Sequence, residues 1–447
     1  VCLLNSSLIN YMMAGSTPML PDFPKELDKG KAIQAQYIRR HFSEELQKAP
    51  ELKAKGYKYA YLFVMGNPIE LLRPFDVFIG VYPEITSLNI SYKGEAIPVL
   101  DAAEGLVGFP TDVCGYVKMG VASTYMANKI KVTVPVIGHM PEPDLMVLHY
   151  TGCQVYIHWW ELYQYMFNTP VLVYDIPHLR HLEDTAKPHK EDIEYVAEQL
   201  KDSVPFLEKI SGVPFDESKF KETVKITAET WDYWRQTIEM EKLVPAPYDA
   251  YFEAIYYMSM ITIYRGTKDA LDYYKYLLDE LKARYKFINE HPEYAERFRL
   301  IFEGVPPYHN YKSFWNLFKR WGARMVYATY PKVPGMELFR FDPSRPWESE
   351  AEYMILPYCN INYKDRAEIL AKYVDEYKAD GVVIHSIKSC KSFSSNHGDF
   401  KEYLSKELDV PVLLIESDHV DPRYYSEAQI KNRIDAYFEA LSLRAKR

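Results

Sequence analysis

The chain has 447 residues, 48% apolar and 26% charged, a balance that excludes disordered, collagen-like and fibrous classes. Its 53 basic and 62 acidic residues leave a net charge of −9, so nucleic acid is not an expected partner. No run of about 18 uninterrupted apolar residues occurs, so a cytoplasmic, non-membrane protein of two to four domains is expected.

The first residues, from Val1 to Leu8, are apolar but lack the basic flank of a secretory signal. Met12 or Met13 stands nearer an expected natural start, and residues 1–13 are set aside from the fold argument. Residues 24–56 form a polar, Lys/Glu/Gln-rich helical stretch opened by Pro24 and ended near Gly56. Short apolar runs of strand length follow at 59–65, 75–81, 145–149, 171–174, 299–302, 325–327, 381–385 and 410–415. Helical patterns separate them at 104–128, 156–167, 189–210, 218–242, 312–321, 364–379 and 426–443. Strands apolar throughout, alternating with helices, predict an α/β fold with parallel sheets covered on both faces. The expected organisation is an N-terminal extension and helical segment (1–56), a first α/β domain (57–188), a helical insertion (189–292) and a second α/β domain (293–447).

Phosphate-binding glycine loops, His-Glu-x-x-His, Gly-x-Ser-x-Gly and Cys-x-x-Cys are all missing from the sequence. Five cysteines are present: Cys2, Cys114, Cys153, Cys359 and Cys390. Their odd number and wide spread fit free thiols or ligands better than a disulfide framework. Three fall at strand-to-helix junctions. Cys153 closes an apolar strand and a glycine turn, Cys390 closes another strand, and Cys114 precedes a helix that Thr111 or Asp112 is placed to cap. Ligands of open parallel sheets gather beyond the strands' carboxyl ends, where helix N-termini favour thiolates. Thiolates there suit zinc or an iron–sulfur cluster. Core packing is the competing explanation for each cysteine alone, since free cysteines are often buried. Intervals of 39 and 237 residues match no short metal motif.

The runs 111–118 (TDVCGYVK), 143–153 (PDLMVLHYTGC), 249–252 (DAYF), 265–270 (RGTKDA), 379–394 (ADGVVIHSIKSCKSFS) and 416–426 (ESDHVDPRYYS) make the chain resemble one family. It is similar to the catalytic subunits of 2-hydroxyacyl-CoA dehydratases and ATP-dependent benzoyl-CoA reductases, most of all the larger subunit of class I benzoyl-CoA reductase. The resemblance covers roughly residues 55–440. It implies two Rossmann- or flavodoxin-like domains with a [4Fe-4S] cluster at the cleft between them, held by Cys114, Cys153 and Cys390. It also implies a heterodimer with a second catalytic subunit, a separate ATP-hydrolysing iron–sulfur activator, and an acyl-CoA substrate reduced one electron at a time. The absent phosphate loops agree with ATP being handled elsewhere.

Aromatic ring reduction to a cyclic diene is the leading expectation. Ketyl-radical dehydration of a 2-hydroxyacyl-CoA, or a non-catalytic electron relay, are the alternatives, with a zinc-bound structural protein a weaker third. The sequence departs from the family at 303–310 (EGVPPYHN), where reductases carry Asn and Trp in place of Tyr308 and His309. Some relatives carry cysteines at the places of Met354 and Pro357. Cys359 aligns with neither and is expected to be a core residue. His149 and His385, just before ligand cysteines, are candidate proton donors, with a satisfied buried histidine as the plainer explanation. Lys388 is a candidate stabiliser of developing negative charge, with a solvated lysine as its plain alternative.

Overall fold

A computed structural model describes residues 19–135, 138, 140–179, 188–332 and 339–444. Residues 1–18, with Cys2, Met12 and Met13, lie outside the described residues. Helix α1 (Lys29–Arg40) comes first. The first sheet is built from β1 (Lys58–Tyr61), β2 (Phe78–Val81), β3 (Leu145–His149) and β4 (Val171–Tyr174). Between these strands lie α2 (Pro83–Tyr92), α3 (Gly115–Tyr125) and α4 (Val155–Phe167). The second sheet holds β5 (Phe298–Glu303), β6 (Ala323–Ala328), β7 (Gly381–Ile387) and β8 (Val412–Ser417).

Both sheets are wholly parallel, in the orders β2-β1-β3-β4 and β6-β5-β7-β8. The chain therefore has an α/β fold of two Rossmann/flavodoxin-like sheets. Each sheet reverses its strand order at the same place, between β1 and β3 in one and between β5 and β7 in the other. Crevices beyond strand ends at such a reversal are where open sheets bind ligands.

Strands β3, β5 and β6 are buried at every residue, as parallel strands covered on both faces must be. The edge at β6 is covered by the segment around residues 249–250, which lies between the two longest helices. The Ala250 N–H donates to the Met325 carbonyl at 2.7 Å, and the Asp249 carboxylate accepts from the Met325 N–H at 3.1 Å. A covered edge offers no template for stray strand pairing.

Residues 190–290 are mostly helical. Two 23-residue helices, α5 (Glu217–Glu239) and α6 (Lys268–Glu290), pack together and bury Trp231, Trp234 and Tyr274. Their starts are capped as their sequences dictate. Asp216 accepts from Ser218 N and Lys219 N, and Thr267 accepts from Ala270 N. The Glu280 carboxylate on α6 accepts the Lys29 and Gly30 N–H groups, both at 2.9 Å, and so fixes the start of α1. Fully buried Arg265 holds this region to the first sheet. Its guanidinium meets both Glu70 oxygens at 2.5 and 2.8 Å and donates to the Tyr353 hydroxyl at 2.6 Å.

One expected element is broken. The helix foreseen over 104–128 is interrupted at 108–114, where Gly108 turns left-handed (φ +87°) and Pro110 follows. The interruption frees the segment that carries Cys114. Among the described residues no helix is long and apolar enough to cross a membrane.

Candidate metal centre

Cys153 and Cys390 follow the central strands at the two reversal points. After β3 the chain passes Thr151, whose hydroxyl donates to the Met354 carbonyl at 3.0 Å, and turns at Gly152 (φ +73°). A Cβ at Gly152 would lie 2.3 Å from the carbonyl carbon and oxygen of Cys359, so only glycine fits this approach. Cys390 caps a single helical turn, Lys391–Ser394, and its carbonyl accepts from Ser394 N at 3.1 Å. Buried Arg366 supports that turn from below, donating to the Ser392 and Phe393 carbonyls at 3.1 and 3.2 Å while paired with Glu303 at 3.0 Å. Cys114 is itself the N-cap of α3, in extended backbone (φ −45°, ψ 125°). Neither Thr111 nor Asp112 caps the helix. The Thr111 carbonyl instead accepts from the buried Lys118 ammonium at 2.9 Å.

One buried carboxylate joins these loops. Asp418, just past β8, accepts from Ser389 N (3.0 Å), Ser389 Oγ (2.6 Å), Val420 N and Asp421 N (both 3.1 Å). Ser389 Oγ in turn accepts from Gly115 N at 3.2 Å. The residue before Cys390 is thus tied to the residue after Cys114. His419 Nδ1 stands 3.3 Å from the Asp418 carboxylate, and its ring hydrogen-bonds the Cys114 sulfur. Burial opposes charge on His419, yet Asp418 and the thiol hold its imidazolium and raise its pKa to about 10. Asp418 is correspondingly held well below the usual carboxylate range, despite its burial.

The three thiols feel one another. Burial raises the pKa of Cys390 well above the ordinary value, and the Cys114 and Cys153 sulfurs raise it further. For Cys153 the largest cause is a hydrogen bond with the Cys359 thiol, followed by burial and by the charges of Cys359 and Cys114. Cys359, expected in the core, is buried but lies beside a junction cysteine. Among the described residues no group of three or more His, Cys, Asp or Glu side chains closes around a single metal ion. Sulfurs bound to separate irons of a cluster stand farther apart than ligands sharing one ion. Burial and the neighbouring sulfurs oppose ionisation of Cys153 and Cys390, and a multinuclear cation stabilises such thiolates by binding them, so the residues present fit such a group.

The other candidates are placed differently. His149 is fully buried, with Nδ1 3.1 Å from the Thr151 hydroxyl and Nε2 without a partner among the described residues. Burial lowers its pKa to about 3, so its imidazole is neutral. His385 is also buried and neutral, its pKa lowered to about 4. Its Nδ1 contacts the Val305 carbonyl at 2.5 Å and its Nε2 the Ser417 hydroxyl at 2.6 Å. Both ring nitrogens are therefore used in joining β7 to its neighbours. The Lys388 ammonium is half-exposed, 3.5 Å from the Glu416 carboxylate and over the Tyr424 ring.

A cavity of about 410 Å³ opens beside this region, between α1, α2, the helix Ala254–Ile263 and the loops after β5 and β6. Its wall is apolar, with Val64, Ile85, Leu88 and Met258 prominent, and Tyr308 and Tyr330 stand on the side toward the second sheet. Exposed Arg39 and Lys93 stand at its rim.

Behind Val64 and Ile85 lies Glu84, which strand-end reasoning applied only to cysteines had passed over. It is 3% exposed, and one oxygen accepts from Val64 N at 3.2 Å and from the Tyr156 hydroxyl at 3.0 Å. The other oxygen has no partner among the described residues. Burial pushes its pKa up to about 7 against those hydrogen bonds.

The chain matches the family described as 2-hydroxyglutaryl-CoA dehydratase, D-component, over residues 65–441. It is 36% identical to a benzoyl-CoA reductase subunit of Thauera aromatica over 397 residues, covering 87% of this chain and 89% of that protein. It is 28% identical over 429 residues to the (R)-phenyllactyl-CoA dehydratase alpha subunit of Clostridium sporogenes, covering 94% and 98%. It is also 28% identical over 430 residues to the lactoyl-CoA dehydratase alpha subunit of Anaerotignum propionicum, covering 92% and 97%.

Proposed function

The chain belongs to the 2-hydroxyglutaryl-CoA dehydratase D-component family, which includes benzoyl-CoA reductase and 2-hydroxyacyl-CoA dehydratase subunits, and from that premise we propose that it is the iron–sulfur catalytic subunit of a benzoyl-CoA reductase-like enzyme. In this reading it is a cytoplasmic oxidoreductase subunit that works in a heterodimer with a second subunit of its family. A separate ATP-hydrolysing activator supplies the electrons. The reading is supported by Cys153 and Cys390 following the strands at the paired reversal points, with Cys114 near enough to raise the pKa of both, beside a mostly apolar cavity with basic residues at its mouth.

Cys114, Cys153 and Cys390 are the residues we assign to hold a [4Fe-4S] cluster. A cluster bound there would supply single electrons at low potential. The protein's own residues do the rest. Asp418, Ser389 and Arg366 fix the loops that present the thiols. The cavity receives the acyl group and excludes water from it, while Arg39 and Lys93 attract the phosphates of coenzyme A. With a pKa raised to about 7, Glu84 can give and take a proton near neutral pH, and it has an unpartnered oxygen, so it is the carboxyl we assign to exchange a proton with the substrate. His149 offers an unpartnered, neutral Nε2 as a second proton carrier. His385 takes a positioning role, since both its ring nitrogens are engaged, and Lys388 is assigned to the surface pair with Glu416.

Anaerobic iron and sulfide analysis of the purified complex tests the centre. About four irons and about four sulfides per chain are expected. Each of Cys114→Ser, Cys153→Ser and Cys390→Ser should lose iron and change the electron paramagnetic resonance signal. Full iron retention in any one removes that residue from the ligand set. The identity shared with two 2-hydroxyacyl-CoA dehydratase alpha subunits favours dehydration as the second reading. Product analysis with a reduced activator and ATP separates the two, a cyclic diene from benzoyl-CoA against an enoyl-CoA from a 2-hydroxyacyl-CoA.

A further inference from the structure

Three tyrosine hydroxyls meet where the cavity faces the second sheet. The Tyr308 hydroxyl donates to that of Tyr330 at 3.0 Å, and the Tyr116 hydroxyl lies 3.5 Å from that of Tyr330. The three come from separate places: Tyr116 from the first turn of α3, Tyr308 from the loop after β5, and Tyr330 from just past β6. Tyr308 and Tyr330 line the cavity. Tyr116 backs onto the metal centre, its ring edge-on to His419 at 4.5 Å. The backbone reinforces this placement, because Tyr308 N–H donates to the His419 carbonyl at 2.9 Å.

The hydrogen-bond geometry is the decisive feature. The Tyr308 hydroxyl is within ordinary hydrogen-bond distance of Tyr330, while the Tyr116 hydroxyl stands at the far edge of that range. The 3.5 Å contact is also longer than an ordinary O–H···O bond, so it holds its proton weakly. Tyr330 accepts from Tyr308, so its own hydrogen is left for the long contact with Tyr116 or for a ligand in the cavity that Tyr330 lines. Another cavity tyrosine shows the contrast. The Tyr311 hydroxyl is spent on the Phe252 carbonyl at 2.6 Å and has nothing to offer a ligand. Burial raises the pKa of all three members of the trio, so they remain protonated donors at neutral pH. A mostly apolar cavity with this hydroxyl in its wall suits a ligand that sets an acceptor oxygen in an apolar group.

We propose that Tyr330, oriented by Tyr308 and Tyr116, donates a hydrogen bond to the carbonyl oxygen of the ligand in this cavity. This rests on the acyl-CoA reading above, in which that oxygen belongs to the thioester. Tyr330 is then a residue that selects a thioester over a ligand without the carbonyl. The trio also links the substrate oxygen to the loop of Cys114.

Equilibrium binding to the anaerobic complex, with no activator or ATP, tests this without turnover. The probes are benzoyl-CoA and S-benzyl-CoA, whose methylene replaces the carbonyl. Tyr330→Phe should weaken benzoyl-CoA binding about tenfold, the effect of one lost hydrogen bond. It should leave S-benzyl-CoA binding unchanged, a distinction that a purely structural role for the ring would not produce. Equal weakening for both probes, or no weakening for benzoyl-CoA, overturns the inference while the acyl-CoA reading stands. Failure of the unaltered complex to bind either probe overturns that reading, and the inference with it. Should Tyr330→Phe not assemble, Tyr308→Phe carries the test. It removes the donor to Tyr330 and should weaken benzoyl-CoA alone by about threefold. No change there overturns the proposal.

Discussion

Replacing Glu84 by Gln should make the protein more stable and less active, with a pH dependence that the burial of this carboxyl sets. In the folded chain its pKa is about 7, against an ordinary value of 4.5. The folded state therefore binds this proton more tightly than the unfolded state does. Between those two values the unfolded chain has already ionised while the folded chain has not, so stability falls as pH rises through the window. The shift is about 2.5 units, which at about 1.36 kcal/mol per unit costs about 3 kcal/mol once pH exceeds 7.

Glutamine keeps the shape and does not titrate. The difference between Glu84→Gln and the unaltered chain should be small near pH 4.5 and grow to about 3 kcal/mol in favour of glutamine by pH 8. Chemical denaturation of both proteins across that range, prepared anaerobically, measures it. Other titrating groups cancel in the difference. Turnover of the glutamine variant should fall by about 10² to 10⁴, the usual weight of a positioned proton donor. Parallel stability profiles would refute the buried-acid argument. Diverging profiles with full turnover would keep the buried acid and remove its role in proton exchange.

Two substitutions probe the support of the thiols. Gly152→Ala meets both a left-handed backbone and a carbonyl 2.3 Å from the new Cβ, so iron content and melting temperature should both fall. Gly212→Ala is its control. It has nearly the same φ (+71°) and open space around it, so it should cost only about 1–2 kcal/mol and leave the iron in place. Arg366→Met strips the guanidinium from buried Glu303 and from the Ser392 and Phe393 carbonyls. Loss of about 3–5 kcal/mol is expected from the uncompensated carboxylate, seen as a lowered denaturation midpoint. Adding Glu303→Gln should restore part of it, and no restoration would count against the ion pair as the cause.

The strands were legible because a parallel strand buried on both faces has no choice of residue type. Each of the eight apolar runs overlaps a strand of the fold, with Leu145–His149 and Val171–Tyr174 matching at both ends. The break at 108–114 was less legible, because Val113 and Cys114 continue the apolar pattern across it, although Gly108 and Pro110 marked it. The same argument from strand ends that singled out Cys153 and Cys390 reaches further than the cysteines. Glu84 follows β2, Tyr308 follows β5, Tyr330 follows β6 and His419 follows β8, each within five residues of the strand's last member. Tyr308 stood out only as a departure from the family and His419 only within a matching run, because thiols are rare in this chain and tyrosines are not, with five of one and 39 of the other. Rarity drew attention to the right end of the sheets. Chemistry then depends on which abundant residues share that end, and this is decided by two strand orders that no single stretch of sequence contains. Tyr116 shows the limit. It follows no strand, and contacts that carry the start of α3 across to the second sheet, among them the hydrogen bond from Gly115 N to Ser389 Oγ and the ring contact with His419, bring it to Tyr330.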